Sequence, residues 1–326
     1  MKCRTEVICS VYILFHFGGY FQTIFVSINF AGKMKLIRFG AFNKEQPGVC
    51  IDGVNYDVSE YVKDYDEAFF REDGLTSLSS VLKTDIKKLP IVEKGTRIGS
   101  PVARPSKIVC IGMNYADHAR EINIPVPAEP VLFMKATTAL NGPFDSIILP
   151  KDSVKTDWEI ELAVVIGKEA SYIKEEDAMN YVAGYAILND VSEREYQLER
   201  GGTWDKGKGC NTFAPMGPWL VTKEEINNPH ELRLWLTLNG QSMQDSNTSN
   251  LIFNIPFLIA YISRFMTLLP GDIVSTGTPA GVGTGRNPKV FLKEGDCLEM
   301  EIEGLGTSMQ VVKGYGNNAE GLIQNA

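Results

Sequence analysis

The segment Asp157-Trp-Glu159-Ile-Glu161-Leu-Ala-Val-Val-Ile-Gly leaves the fold least choice. Read as a strand, it sends residues two apart to the same side, so Glu159 and Glu161 project together. The strand then becomes wholly apolar and ends at Gly167, the pattern of a strand entering a core. Two carboxylates this close repel unless a cation or protons join them. An all-oxygen donor set suits Mg²⁺, Mn²⁺ or Ca²⁺ rather than zinc. Asp190, isolated at the end of the apolar run Tyr185-Ala-Ile-Leu-Asn, is a third ligand candidate. Glu299, Glu301 and Glu303 repeat the same spacing but alternate with Leu298, Met300 and Ile302, which reads as a solvated face opposite a buried one. Spacing does not rank the two strands. The apolar continuation and the isolated Asp190 favour Glu159 and Glu161.

The chain has 326 residues, 44% hydrophobic and 22% charged, enough for one large domain and a small one. The net charge of -8, with no long basic run, excludes nucleic acid as the expected partner. A protein of this charge that handles an anion must concentrate positive charge or a metal at its site. The six cysteines form no C-x-x-C pair and suit a reducing, cytoplasmic setting. Val7 to Gly32 contains no formally charged residue and follows Lys2 and Arg4. Three readings fit this run. It is upstream sequence before a true start at Met34, a membrane anchor, or a cleaved signal. Its richness in Phe, Tyr, Asn and Gln, and the strand-like Met34-Lys-Leu-Ile-Arg-Phe-Gly that follows, favour the first.

We therefore expect a doubtful leader over 1–33, a small N-terminal domain over 34–103, a catalytic domain over 104–315 and a tail over 316–326. Asp52-Gly53 signals a hairpin, and Ser77 to Leu82 a helix. Strands are expected over Glu159–Gly167, Tyr181–Leu188, Leu232–Leu238, Asp272–Ser275 and Leu298–Ile302. Helices are expected over Glu175–Tyr181 and Ile255–Met266, and from a capping box at Ser192 and Glu195 through Glu199. Strands outnumber helices without alternating with them, so the expected class is α+β and β-rich, a mixed β-sandwich roll rather than a βαβ sheet.

Four segments can carry chemistry. In Gly112-Met-Asn-Tyr-Ala-Asp-His118-Ala-Arg-Glu121, His118 and Glu121 share a helical face, and a carboxylate there orients the imidazole as a general base. An ordinary surface pair has the same spacing. Outside the leader, which holds His16, the alternative is His230, which follows Asn-Asn-Pro and reads as an exposed turn. The Glu159–Glu161 strand with Asp190 is the second segment. In Gly201-Gly-Thr-Trp-Asp-Lys206-Gly-Lys208-Gly, a P-loop reading fails because Gly209 replaces the required hydroxyl and a charged helix precedes it. The glycines instead suggest a mobile loop that delivers one of the two lysines. Ser275-Thr-Gly-Thr278-Pro-Ala-Gly-Val-Gly ends a strand in a glycine-rich turn that can cradle an anion, or simply connect.

Together, G-x-N-Y-x-x-H-x-x-E, D-W-E-x-E-L-A-x-V-I-G, N-D-V-S-E-R-E, W-D-K-G-K-G and S-T-G-T-P-x-G-V-G resemble the fumarylacetoacetate hydrolase family over about Ser106 to Val312. The resemblance implies roles that spacing does not supply. Glu159, Glu161 and Asp190 match metal-binding carboxylates, with Mg²⁺ the expected ion and Mn²⁺ or Ca²⁺ the alternatives. His118 and Glu121 match a water-activating dyad. Lys208 matches the catalytic lysine, with Lys206 its neighbouring alternative. Tyr115, Arg194, Gln197, Gly277 and Thr278 match substrate-contacting positions. The family fold is a mixed β-sandwich roll with a small N-terminal domain, usually in a homodimer. The implied reaction is metal-assisted hydrolysis of a C–C bond in a small 2,4-dioxo acid, giving pyruvate or a related 2-oxo acid. The segment from Ser192 to Cys210 most resembles members that act on 2,4-dioxo-3-deoxy-L-fuconate or -rhamnonate. Isomerase, hydratase, decarboxylase and ureidoglycolate lyase activities are the family alternatives. An inactive membrane-tethered binding protein is the alternative outside catalysis.

Overall fold

The computed structural model describes residues 9–17, 20–28, 34–121 and 123–317. The apolar N-terminal run contributes an antiparallel pair, Cys9–Phe17 with Tyr20–Ile28. No helix among the described residues is long and apolar enough to cross a membrane.

The large sheet is built from β1 (Lys35–Phe39), β2 (Gln46–Ile51), β3 (Val54–Asp57), β4 (Ile108–Gly112), β5 (Val131–Lys135), β6 (Ile160–Ile166), β7 (Val182–Asn189), β8 (Ala214–Thr222) and β9 (Ile273–Ser275). Their order is β3-β2-β1-β8-β7-β6-β9-β4-β5. The hairpin at Asp52-Gly53 forms as the dipeptide predicts, with φ 49° and 80°, the two positive values a type I′ turn requires. The helices that matter below are α1 (Gly74–Asp85), α2 (Ala116–Glu121), α3 (Arg194–Leu198), α4 (Asp205–Lys208) and α5 (Ile255–Ile262).

The strand pairs β1 with β8, so residues 34–57 extend the sheet of the later segment. A second sheet runs Ile147–Ile148, Gly306–Lys313, Cys297–Ile302, Arg233–Leu238 and Gln241–Asn247. Leu298, Met300 and Ile302 are buried while Glu299 is exposed, so the alternating acids of that strand lie on its outer face. The inward residues of both sheets join one apolar core, the sandwich that the α+β expectation describes. Glu175–Tyr181 is a 3₁₀ helix rather than an α-helix.

Register places the candidate acids. Ile160 lies opposite Asn189, so the start of β6 meets the end of β7. On the other side Ala163 lies opposite Ser275, which brings the glycine-rich turn after β9 to the same end. β4 runs parallel to β9 and also ends there, delivering α2. One corner of the sheet thus collects every segment singled out in the sequence except α3 and α4, which pack across it.

Candidate metal centre and catalytic cavity

Glu159, Glu161 and Asp190 are all buried, and each offers an oxygen within 4.8 Å of the others. Each is held differently. Glu161 Oε2 accepts from Ser275 Oγ at 2.5 Å and from the Gly277 backbone N at 2.9 Å. Glu159 accepts from Lys208 Nζ at 2.7 Å and pairs with Arg194 at 2.6 Å. Asp190 accepts from Lys208 Nζ at 2.8 Å and from Lys135 Nζ at 2.6 Å. Burial opposes ionisation of Glu159, but Lys208 and Arg194 outweigh it and hold its carboxyl at about 2. Burial, then Asp190 and Glu159, push Glu161 well above the carboxylate range. Glu161 has hydroxyl and amide donors but no ammonium or guanidinium against it. A divalent cation fits this set, because it supplies hard-ion coordination and the missing positive charge at Glu161.

His118 and Glu121 meet on α2, with His118 Nδ1 2.9 Å from Glu121 Oε2. Glu121 Oε1 accepts from the Gly281 N–H at 2.9 Å, which ties the dyad to the glycine-rich turn. Asn114 anchors the segment before it. Its amide donates to Thr276 O at 2.7 Å and accepts from the Phe253 N–H at 2.8 Å. His118, Glu159, Glu161, Arg194, Gln197, Lys208 and Thr278 all line one cavity of about 150 Å³.

Lys208 is 1% exposed and bridges two acids, whereas Lys206 is exposed and donates to Arg200 O. The glycine-loop expectation changes in kind. Gly207 lies where a Cβ would sit 2.4 Å from Glu193 O, so the glycine serves close packing of α4 on α3. The cap of α3 is Glu193, whose carboxylate accepts from Glu195 N, while Ser192 Oγ donates to Asp190 O. Tyr115 is fully buried and does not line the cavity. Its place in N-Y-x-x-H, next to the anchored Asn114, packs its ring into the core. The Gly277 N–H is already committed to Glu161. The Gly281, Gly283 and Thr284 N–H groups likewise serve the chain's own acids, Glu121 and Asp157. The turn cradles anions as expected, but these are carboxylates of the protein. His230 is half-buried, with Nε2 accepting from the Ile255 N–H at 3.1 Å, rather than in an exposed turn.

Three residues escaped the sequence reading. Lys135, at the buried end of β5, gives no periodic signal. Asp157 holds Arg194 at 2.8 Å and two N–H groups of the turn. The two-residue period that flagged Glu159 and Glu161 also reaches Asp157. Gln244 donates to Thr278 Oγ1 at 2.8 Å and accepts from the Ile160 N–H at 3.0 Å, across the two sheets.

A sequence profile described as Fumarylacetoacetate (FAA) hydrolase C-terminal matches residues 107–313. The chain belongs to the fumarylacetoacetate hydrolase family. A Burkholderia lata protein whose name gives a hydrolase and no substrate is 50% identical over 279 residues, 85% of this chain and 98% of its own. The maleylpyruvate hydrolase of Sphingobium sp. SYK-6, solved with manganese(II) and pyruvate, is 29% identical with a TM-score of 0.72, covering 86% of this chain and 99% of its own. The 2-hydroxyhepta-2,4-diene-1,7-dioate isomerase of Mycobacterium marinum is 30% identical with a TM-score of 0.67, covering 87% and 100%. Membership in the fumarylacetoacetate hydrolase family makes the chain an enzyme, and the buried acidic triad supports a divalent metal at its centre.

Proposed function

We propose that the enzyme hydrolyses the C3–C4 bond of a small 2,4-dioxo acid of the acylpyruvate type, with Mg²⁺ as its ion. One observation carries the reading. Glu159 and Glu161 of the buried triad and His118 of the dyad line the same small cavity, with Asp190 and Glu121 joined to them from behind, so charge stabilisation and a proton acceptor face one ligand. Glu159, Glu161 and Asp190 would hold the cation, which would supply positive charge for the anionic substrate and for the enolate that develops.

The chain's own residues do the rest. Glu121 engages Nδ1 of His118 and leaves Nε2 to take a proton from water. The hydroxide adds to C4, and the Lys208 ammonium steadies the oxyanion formed there. The C4 carbonyl re-forms as C3–C4 breaks, the electron pair stays on C3 as an enolate, and the proton held by His118 returns to C3. The products are pyruvate and a carboxylic acid. Arg194, held by Asp157 and Glu159, supports the acids, and Gln197 and Thr278 border the space left for the substrate. Proton transfer at C3 without water addition is the second reading. It uses the same dyad, and the resemblance to the M. marinum isomerase favours keeping it.

Pyruvate release from acetylpyruvate by the full chain, with Mg²⁺ and then with EDTA, tests the proposal beside a His118→Ala variant. Metal-dependent release that falls about 10²–10⁴-fold in the variant is expected. Proton exchange at C3 with no pyruvate would move the reading to the isomerase.

A further inference from the structure

We infer that the site takes a 2-oxo acid with one carboxylate and an uncharged, apolar far end, and discriminates against an acid that ends in a second carboxylate. The inference rests on reading the cavity as a 2-oxo acid site with a divalent cation, but not on which bond is broken.

Charge is the first argument. Four buried carboxylates stand at or directly behind the cavity, Asp157, Glu159, Glu161 and Asp190. Three buried cations face them, Lys135, Lys208 and Arg194. All three cations are committed. Lys135 and Lys208 bind Asp190, Lys208 also binds Glu159, and Arg194 binds Asp157 and Glu159. With a divalent cation in place of the Glu161 proton, the four carboxylates, three cations and the ion sum to plus one, which a single substrate carboxylate cancels. The Glu121 carboxylate beside His118 adds negative charge, not positive. No uncommitted Lys or Arg remains among the described residues that line the cavity.

The wall is the second argument. The apolar lining of the cavity is Met113, Phe133, Leu198 and Trp204, and the Lys208 Nζ that lies 4.9 Å from the Phe133 ring centroid is already held by Glu159 and Asp190. Phe133 and Trp204 pack with ring centroids 5.2 Å apart. Trp204 presses on Gly112 so closely that a Cβ there would lie 2.5 Å from its ring. Phe133 and Trp204 are therefore fixed by packing, while Leu198 forms the outer edge of the wall. A carboxylate pushed against it loses hydration without gaining a partner. An alkyl end gains by the same contact.

The experiment compares two six-carbon acids, 2-oxohexanoate and 2-oxoadipate, which differ in a terminal methyl against a terminal carboxylate. Binding to the full chain is measured by calorimetry with Mg²⁺, so the readout does not need turnover. We expect 2-oxohexanoate to bind at least about tenfold more tightly. Leu198→Arg places a cation on a wall position already 57% exposed, so it should fold and close that gap. Equal or tighter binding of 2-oxoadipate by the unaltered chain overturns the inference while leaving the proposed hydrolysis standing. A preference that Leu198→Arg does not change overturns the assignment of this wall to the far end. Failure of both acids to bind refutes the 2-oxo acid site itself, and the inference with it.

Discussion

Lys208 and Lys206 sit two positions apart in W-D-K-G-K-G, and no pattern in the sequence separates their duties. One turn of helix does, because residues two apart in α4 point to different sides. Lys208 goes inward to Glu159 and Asp190, while Lys206 stays outside on a backbone carbonyl. Despite burial, which opposes its charge, Asp190 and Glu159 raise Lys208 above its ordinary value. Lys208→Met removes the charge shared by the two acids and leaves Asp190 to Lys135 and Glu159 to Arg194 alone. Breaking a buried pair by deleting one partner costs about 3–5 kcal/mol. Losing an oxyanion donor lowers kcat by about 10²–10³-fold. Thermal unfolding and steady-state rates of Lys208→Met and Lys206→Ala measure both effects. Lys206→Ala should match the unaltered chain, and damage of equal size in the two variants would refute the assignment. Asp157 shows the opposite kind of legibility. The period of two reaches it in sequence, but Asp157 lies in a separate short strand, Thr156–Asp157, and Glu159 just before β6, so it holds Arg194 and the turn rather than joining the triad.

At the scale of elements, apolar periodicity located β6, β7, β9 and α5 to within a few residues, because burial on one or both sides writes directly into residue type. Caps were harder. The Ser192–Glu195 spacing satisfies the capping-box pattern, yet Glu193 makes the cap bond, since Ser192 is drawn to Asp190 O. His230 was misread for a similar reason, as Asn-Asn-Pro is a turn signal but its imidazole reaches the first turn of α5. Its Nε2 accepts from Ile255 N and must be unprotonated to do so. Burial lowers His230 below its ordinary 6.5. A depressed folded value means that this contribution to stability is complete above about pH 6.5 and is lost as pH falls through the folded value. His230→Gln keeps an acceptor and removes the titration. Thermal unfolding followed from about pH 7.5 down to 5 should show the unaltered chain losing ground to the variant as pH falls. Parallel curves over that range would refute the cap.

For the whole molecule, the small-domain expectation and the catalytic sheet meet in one structure, because β1 pairs with β8 and one core runs through both. A pairing between strands nearly two hundred residues apart leaves no trace in local pattern, so the continuity of the sheet was not legible, whereas the corner that gathers the acids was. The position of that corner has a thermodynamic consequence. Burial, Asp190 and Glu159 raise Glu161, so between its ordinary 4.5 and its raised value the folded chain holds a proton that the unfolded chain releases. Stability in EDTA should therefore fall as pH rises through that window. A divalent cation replaces the proton, and its binding strengthens as pH rises. At an ion concentration about a hundredfold above Kd, it adds about 2.7 kcal/mol to the folded state, which raises Tm by several degrees. Glu161→Gln separates the two effects. The amide oxygen can still accept from Ser275 Oγ and Gly277 N, the repulsion with Asp190 and Glu159 disappears, and so does a charged ligand. In EDTA at about pH 8 the variant should unfold at a higher temperature than the unaltered chain, and with Mg²⁺ the order should reverse. If the variant is less stable in both conditions, Glu161 is held by packing alone, and the charge deficit at this corner does not call for a cation.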